Sequence, residues 1–282
     1  VSPTTAPRRE GRTRRLRRWV PSAAVLLGLA LVTTGCQSTD LTRLGMPLPA
    51  SRQGQVTLSM WQGSWIAAFC VGFVVWGGIL WAIIFHRKRG DELPRQVRYN
   101  LPIEILYTVL PFIMIGVMFY FTARDESYIT RNPAHPDVVV DVIAEQWTWQ
   151  FRYPQYALSN PKAPYRMVTE VGQMWVPGEP ASRLPLLEIP VNQTVRFNLT
   201  SPDVVHSFWV AAFEFKRQAV PGFPNRFTIT PIRTGTFIGR CAELCGVYHS
   251  RMLFTLKIVT PAQFRQWIRQ QQSQQNASGG AQ

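Results

Sequence analysis

The residues with the most chemistry in the shortest span are Cys241-Ala242-Glu243-Leu244-Cys245-Gly246-Val247-Tyr248-His249-Ser250-Arg251-Met252, with His206 upstream on a segment of strand character. Two thiols, two imidazoles and a thioether make a soft donor set, which suits copper and does not suit calcium or magnesium, whose ligands are oxygens. Several readings compete. The cysteines could close a disulfide, with Met252 as core packing. A zinc site accepts two Cys and two His but leaves Met252 without a part. A mononuclear blue-copper site uses one Cys, two His and a weak axial Met, so the second Cys is surplus. Two coppers bridged by both sulfurs use all five side chains, and this reading accounts for the set best.

Such a loop needs a rigid frame. It lies between candidate strands at 236–240 and 253–259, so a sandwich edge would present four of its side chains to a histidine delivered from another strand. Short β-branched segments recur at 138–143, 194–200, 205–211, 226–230 and 253–259. They are separated by Pro177-Gly178, Pro221-Gly222 and Thr234-Gly235. That alternation predicts an all-β sandwich over 131–261. Residues 154–185, rich in Pro, Ser and Gly, read as a long surface excursion. The glutamine-rich residues 262–282 read as a flexible tail.

The frame is tethered. No charged residue occurs from Trp61 to Phe85, and a second apolar run extends from Ile105 to Ala123, with Pro111 inside it. Runs of about 20 apolar residues cross a bilayer. A transmembrane hairpin is therefore expected over 37–130, with helices at 61–85 and 103–123 and a loop at 86–101. His86-Arg87-Lys88-Arg89 places that loop in the cytoplasm and everything after Ala123 outside.

Residues 1–36 have the parts of an export signal: seven arginines between Arg8 and Arg18, an apolar stretch, and small residues before Cys36. Thr33-Thr34-Gly35-Cys36 resembles a bacterial lipobox, with Thr33 atypical; the other reading is an uncleaved signal anchor. The formal charge of +14 is concentrated in the basic runs beside apolar segments. It reads as topology, and no nucleic-acid partner is expected. With Cys36 at the signal junction and Cys70 in an apolar run, only Cys241 and Cys245 share the outer domain.

Val204-Val205-His206-Ser207-Phe208, Cys241-x-Glu243-x-Cys245-Gly246-x-x-His249-x-x-Met252 and Gln146-Trp147-Thr148-Trp149 together resemble the binuclear copper (CuA) subunit II of cytochrome c oxidase, in an actinobacterial-like form. The resemblance runs from the hairpin to about Pro261 and implies a cupredoxin-like Greek-key sandwich. It implies that Cys241 and Cys245 bridge the metals, that His206 and His249 bind one copper each, that Met252 is a weak ligand, and that Glu243 contributes its backbone carbonyl. It also implies that the Glu243 side chain reaches a magnesium at the subunit I interface and that Trp147 receives the electron. Trp149 is expected in the core. Phe208, Trp209 and Tyr248 could screen the copper rim or simply pack.

Within Ile103-Glu104-Ile105-Leu106-Tyr107-Thr108-Val109-Leu110-Pro111, Glu104 matches a residue that guards a proton-channel entrance in subunit I. A carboxylate at a helix start, favoured by the helix dipole, is the alternative. The implied partners are subunits I and III and a c-type cytochrome donor. Dioxygen reduction to water, with proton translocation, is expected in subunit I. The location is the bacterial cell membrane, with the copper domain on the outer face.

Three features depart from the family pattern. Gln150-Phe151-Arg152-Tyr153-Pro154-Gln155 replaces an acidic run that binds soluble cytochrome c. Gln218 stands where an Asp is common, and the 154–185 excursion is long. The first and last resemble forms supplied by a membrane-bound cytochrome c of a bc complex. Quinol oxidase subunits lack the copper ligands, and a nitrous oxide reductase needs a propeller domain for which this length has no room. A membrane-tethered copper carrier or sensor would need neither Trp147, Glu104 nor the hairpin.

Overall fold

The computed structural model describes residues 41–93, 96–163 and 165–278; the expected export signal and Cys36 lie outside them. The elements of the fold belong to one compact unit, Pro47–Gln282. Helix α1 spans Arg52–Phe85, and its N-terminus is capped by Ser51, whose hydroxyl accepts from Gly54 N at 2.9 Å. Helix α2 spans Leu101–Ile129, with Asn100 as its cap, a proline in the first turn where a helix tolerates it, and Pro111 inside. The most apolar stretches of both helices have mean hydropathies of 2.3 and 2.0, and nothing among the described residues buries them. Side chains such as Phe73, 81% exposed, have no protein to pack on. An all-round apolar, unpacked helix pair of this length suits hydrocarbon as its solvent.

Both helices extend beyond the expected 61–85 and 103–123. The apolar count marked only the hydrocarbon-matched part, whereas the polar outer turns stay helical and join the sandwich. Ala50 N donates to Ala212 O at 2.7 Å, and Thr230 N donates to Gln53 Oε1 at 3.0 Å. A Cβ on Gly54 would lie 2.8 Å from Phe213 O, so this close approach requires glycine.

Ten strands follow: β1 (Val138–Glu145), β2 (Thr148–Ala157), β3 (Met167–Val171), β4 (Leu186–Pro190), β5 (Val195–Thr200), β6 (His206–Val210), β7 (Phe215–Ala219), β8 (Asn225–Ile229), β9 (Gly235–Cys241) and β10 (Leu253–Val259). They form two five-stranded sheets, ordered β3-β2-β1-β5-β8 and β4-β10-β9-β6-β7. β1 runs parallel to β5 and β4 parallel to β10, while the other pairs are antiparallel. The chain crosses repeatedly between sheets, giving the expected cupredoxin-like sandwich. Period-two burial is explicit in β1, where Val138, Val140, Val142 and Ala144 point inward. Between the sheets, Trp149, Phe197, Phe208, Phe227 and Phe254 pack ring against ring, with Phe208 and Phe254 stacked at 4.9 Å. Each fully buried Phe stabilises the fold by roughly 1.5–3 kcal/mol.

The 154–185 excursion contains the end of β2 and all of β3, strand structure that its sequence had left open. One expectation is corrected. The tail expected to be flexible from residue 262 is instead helix α3, Pro261–Ser278. Phe264, Trp267 and Ile268 are spaced to share one helix face and are buried, with Trp267 edge-on to Tyr153 at 5.3 Å. Beyond them, amide side chains occupy the open backbone of edge strand β3: Gln275 Nε2 donates to Thr169 O at 2.8 Å, and Thr169 N donates to Gln275 Oε1 at 3.2 Å. A polar composition hid a short apolar stripe and a set of side chains that cover a sheet edge.

Candidate metal centre

β6 pairs with β9 so that Phe208 faces Cys241, which brings His206 to the end of β6 beside the Cys241 loop. The loop is folded tightly by its own backbone. Ala242 N donates to Ser207 O at 3.0 Å, Cys241 N to Met252 O at 3.0 Å, and a 3-10 turn over His249–Arg251 returns the chain into β10. Gly246 adopts φ +123°, a conformation that side-chain-bearing residues rarely take.

The five side-chain donors of the expected set converge. Cys241 Sγ and Cys245 Sγ are 3.8 Å apart, His206 Nδ1 is 3.8 Å from Cys241 Sγ, His249 Nδ1 is 3.5 Å from Cys245 Sγ, and Met252 Sδ is 3.8 Å from Cys245 Sγ. The Glu243 backbone oxygen lies 3.1 Å from Cys241 Sγ. Donor atoms of His206, Cys241 and Cys245 all fall within 4.8 Å of one another. His206 and Met252 are fully buried and each cysteine is 4% exposed.

Electrostatics distinguish the two thiols. Burial raises the Cys241 thiol, but His206 and the backbone around Ser207 and Glu243 outweigh it and bring the group below its ordinary value. Cys245 is pushed up to about 12, by burial and then by the neighbouring Cys241 charge. Two thiolates side by side thus need positive charge between them, which thiophilic metal ions supply. Burial also lowers the imidazolium of His206, and here too partners prevail: Cys241 and Asp203 raise it.

Asp203, absent from the expected set, organises one wall. Its carboxylate accepts from Gln146 N at 2.7 Å, Val204 N at 2.6 Å and Ser201 Oγ at 3.1 Å, and faces His206 Nε2 at 2.9 Å. With Nε2–H donating to the carboxylate, the lone pair of His206 Nδ1 faces the sulfurs. The only sequence signal was a Ser-x-Asp turn ending just before the histidine.

Trp147 is half-buried against the loop. Its Nε1 donates to Cys245 O at 3.2 Å, its ring meets Tyr248 edge-on at 4.9 Å, and Gln146 Nε2 donates to the same carbonyl at 2.7 Å. Trp149 is fully buried and donates from Nε1 to Met252 O at 3.4 Å. Phe208 is core, whereas Tyr248 is partly exposed, and Arg240 covers Trp209 at 5.6 Å. The loop's outer rim is apolar: Leu244 is 82% and Val247 84% exposed.

The Glu243 carboxylate turns away from the sulfurs into an open cleft with Ser207, Lys216 and Gln218. It accepts from Gln218 Nε2 at 3.0 Å and Ser207 Oγ at 3.4 Å, and the Gln218 bond is the main cause of its lowered pKa. Glu104 lies far from this region along the chain fold, in the first turn of α2, where its Oε1 accepts from Asn100 N at 3.1 Å in a capping arrangement.

Residues 138–259 match the family model described as cytochrome C oxidase subunit II, periplasmic domain. A probable cytochrome c oxidase subunit 2 of Streptomyces avermitilis is 46% identical over 270 residues, covering 87% of this chain and 85% of its own. The cytochrome c oxidase subunit 2 of Mycobacterium tuberculosis H37Rv is 33% identical over 291 residues, with 88% and 80% covered. The crystal structure of the periplasmic domain of subunit II of cytochrome oxidase (CoxB) of Bradyrhizobium japonicum aligns at a TM-score of 0.42 and 27% identity, covering 50% of this chain and 96% of that one. Likeness of this extent to the actinobacterial proteins takes in hairpin and sandwich together, and the chain belongs to the cytochrome c oxidase subunit 2 family.

Proposed function

We propose that this chain receives electrons from a c-type cytochrome and passes them to the haem-copper subunit of its oxidase, where dioxygen is reduced to water with proton translocation. The observation that carries the reading is the convergence of His206, Cys241, Cys245, His249 and Met252 on one buried point, with Trp147 bonded to the Cys245 carbonyl on the outer side. Cys241 and Cys245 would bridge two coppers, His206 and His249 would bind one each, and Met252 and the Glu243 carbonyl would complete them. Copper held by these side chains would supply a one-electron relay whose bond lengths change little on transfer, so that transfer would be fast at low driving force.

The protein's part is to hold that set rigid and dry. Asp203 fixes the His206 ring, the 3-10 turn fixes His249 and Met252, and Phe208 and Trp149 exclude water from beneath. Trp147 offers a route from the surface: an exposed edge, an indole N–H to the Cys245 carbonyl, then the sulfur. Ligands this buried disfavour a carrier, which must exchange its metal.

Around this centre the remaining roles follow from position. The Glu243 carboxylate would hold a magnesium at the subunit I interface, with Gln218 orienting it. The loop with Arg87, Lys88 and Arg89 would lie in the cytoplasm, the sandwich on the outer face, and subunits I and III beside the hairpin. Glu104, at the cytoplasmic end of α2, would stand at the entrance of a proton route in subunit I.

Copper loading tests the core of the proposal. The metal-loaded protein should hold two coppers per chain, with an EPR pattern of one electron shared by two nuclei. Cys245→Ser and His249→Ala should each abolish that pattern, and His135→Ala should leave it unchanged. One copper per chain, or a Cys241–Cys245 disulfide in the loaded protein, would defeat it.

A further inference from the structure

Where α1 and α2 approach the sandwich they stand apart over two clefts that the electron path does not use. The inner cleft, about 330 Å³, is apolar: Met60, Gly63 and Ala67 of α1 face Val117, Met118 and Phe121 of α2. The outer cleft, about 340 Å³, is polar, with Arg52, Gln55, Arg124, Asp125 and Tyr128 on its walls. Ser59, Arg124 and Asp125 border both, so the two clefts adjoin and together form a slot that is polar at the sandwich end and apolar towards the middle of the hairpin. Small residues on α1 leave the space: a Cβ on Gly63 would meet nothing within 4 Å.

The charges at the mouth do not balance. Asp125 is 6% exposed and accepts from Arg124 through both Nε and a terminal nitrogen at 2.8 Å, on the same oxygen. The Arg124 guanidinium also lies over the Phe121 ring at 4.9 Å, at the border between the two clefts, and its side chain is 57% exposed. Arg52 is exposed and makes no ion pair among the described residues. Two guanidiniums therefore flank one carboxylate at the rim of an apolar slot. Arginine forks match the oxygens of a phosphodiester, and the apolar floor matches an acyl chain.

We propose that this slot binds an anionic phospholipid of the outer leaflet, its phosphodiester at Arg52 and Arg124 and one acyl chain between Gly63 and Phe121. The inference rests on the membrane orientation proposed above. A lipid so placed would wedge the hairpin against the sandwich, next to the Gln53–Thr230 and Ala50–Ala212 bonds that join them.

The test uses the whole oxidase, purified in mild detergent and examined by native mass spectrometry with added phosphatidylglycerol, phosphatidylcholine or inorganic phosphate. Phosphatidylglycerol should be retained in preference to phosphatidylcholine, and millimolar inorganic phosphate should not displace it. Arg52→Gln, which leaves the Arg124–Asp125 pair intact, should lower retention about tenfold, the value of one charge-assisted hydrogen bond. Gly63→Leu, which fills the apolar floor and leaves both arginines, should lower it comparably. Equal retention of the two lipids, displacement by inorganic phosphate, wild-type retention by both variants, or capture of another subunit's helix by a photo-crosslinker at Ala67 would each overturn the proposal. An inverted topology would show separately, as labelling of the Arg87 loop from outside the cell.

Discussion

His206 is aimed by a residue that lies before its own strand. Asp203 gathers two backbone N–H groups and the Ser201 hydroxyl, and so stands as a fixed anion beside Nε2. A carboxylate hydrogen-bonded to the far nitrogen of a metal-binding imidazole is worth about 10–100-fold in metal affinity. Asp203→Ala should therefore weaken copper binding by about that factor in competition with a chelator, while the fold, followed by circular dichroism, is kept. Unchanged affinity would show that the Cys241 loop alone sets the ring. The converging donors themselves were legible because soft side chains spaced along one short loop have few other uses. Asp203 was not, since one aspartate in a turn is ordinary until the fold brings His206 to it. Gln218 was noticed only as a departure; its bond to Glu243 shows that the cleft remains polar and organised without an acid there.

At the scale of elements, α3 is the part the composition concealed. Its glutamines imply solvent, yet they replace the missing neighbour of β3, and Phe264, Trp267 and Ile268 cover Tyr153 and Tyr156. Removing a large buried side chain costs about 3–5 kcal/mol, so Trp267→Ala should lower the denaturant midpoint of the outer domain without altering copper stoichiometry. A pH effect belongs to the same element. Glu170 of β3 lies beside α3, and its pKa is raised to about 7, first by burial and then by Glu188. A carboxyl with a raised folded-state pKa adds stability that is complete below its unfolded value and is lost as pH rises through about 7. Glu170→Gln should then be close to neutral below pH 4.5 and stabilising by on the order of 2 kcal/mol above pH 7. Truncation before Pro261 should rehydrate Glu170 and flatten the wild-type pH dependence. Retention of the full dependence by the truncated chain would show that Glu188, not α3, sets it. By contrast the hairpin and strands β1, β5, β6, β8, β9 and β10 were readable, because unbroken apolar runs and period-two alternation have few alternative meanings; β2, β3, β4 and β7 were not, nor were the helix ends, fixed by Ser51, Gln53 and other tertiary partners.

For the molecule as a whole the open quantity is how the electron donor finds Trp147. Opposite charges across an interface raise association rates and make them fall steeply with salt. The surface around Trp147 is not built that way. Its most exposed side chains are Leu244 and Val247, and β2 continues with Arg152, whose guanidinium lies over Tyr165 at 5.2 Å. Of the acids near Trp147, Asp203 and Glu243 are already engaged by His206 and Gln218, which leaves Glu145 at the end of β1. The excursion is also more integrated than its composition implied: Tyr156 is packed on Phe264, and Trp175 N donates to Arg251 O of the copper loop at 3.2 Å. Trp175 thus extends the rim on the side where the excursion meets the ligands. A flat apolar rim gives little steering but a durable contact once the partner is held nearby, as when donor and acceptor share a membrane and an effective concentration replaces collision. On the function proposed above, we infer that a membrane-bound c-type cytochrome of a bc complex would fit that surface better than a small basic soluble one. Turnover with the native membrane donor should vary little between low and moderate salt. Leu244→Asp should slow it several-fold without changing the copper spectrum, and Trp147→Ala should slow it further still. Rapid oxidation of a lysine-rich soluble cytochrome, with steep inhibition as salt is added, would mean that the donor is steered by acids outside this rim, and the tethered-donor reading would fall while the metal centre stood.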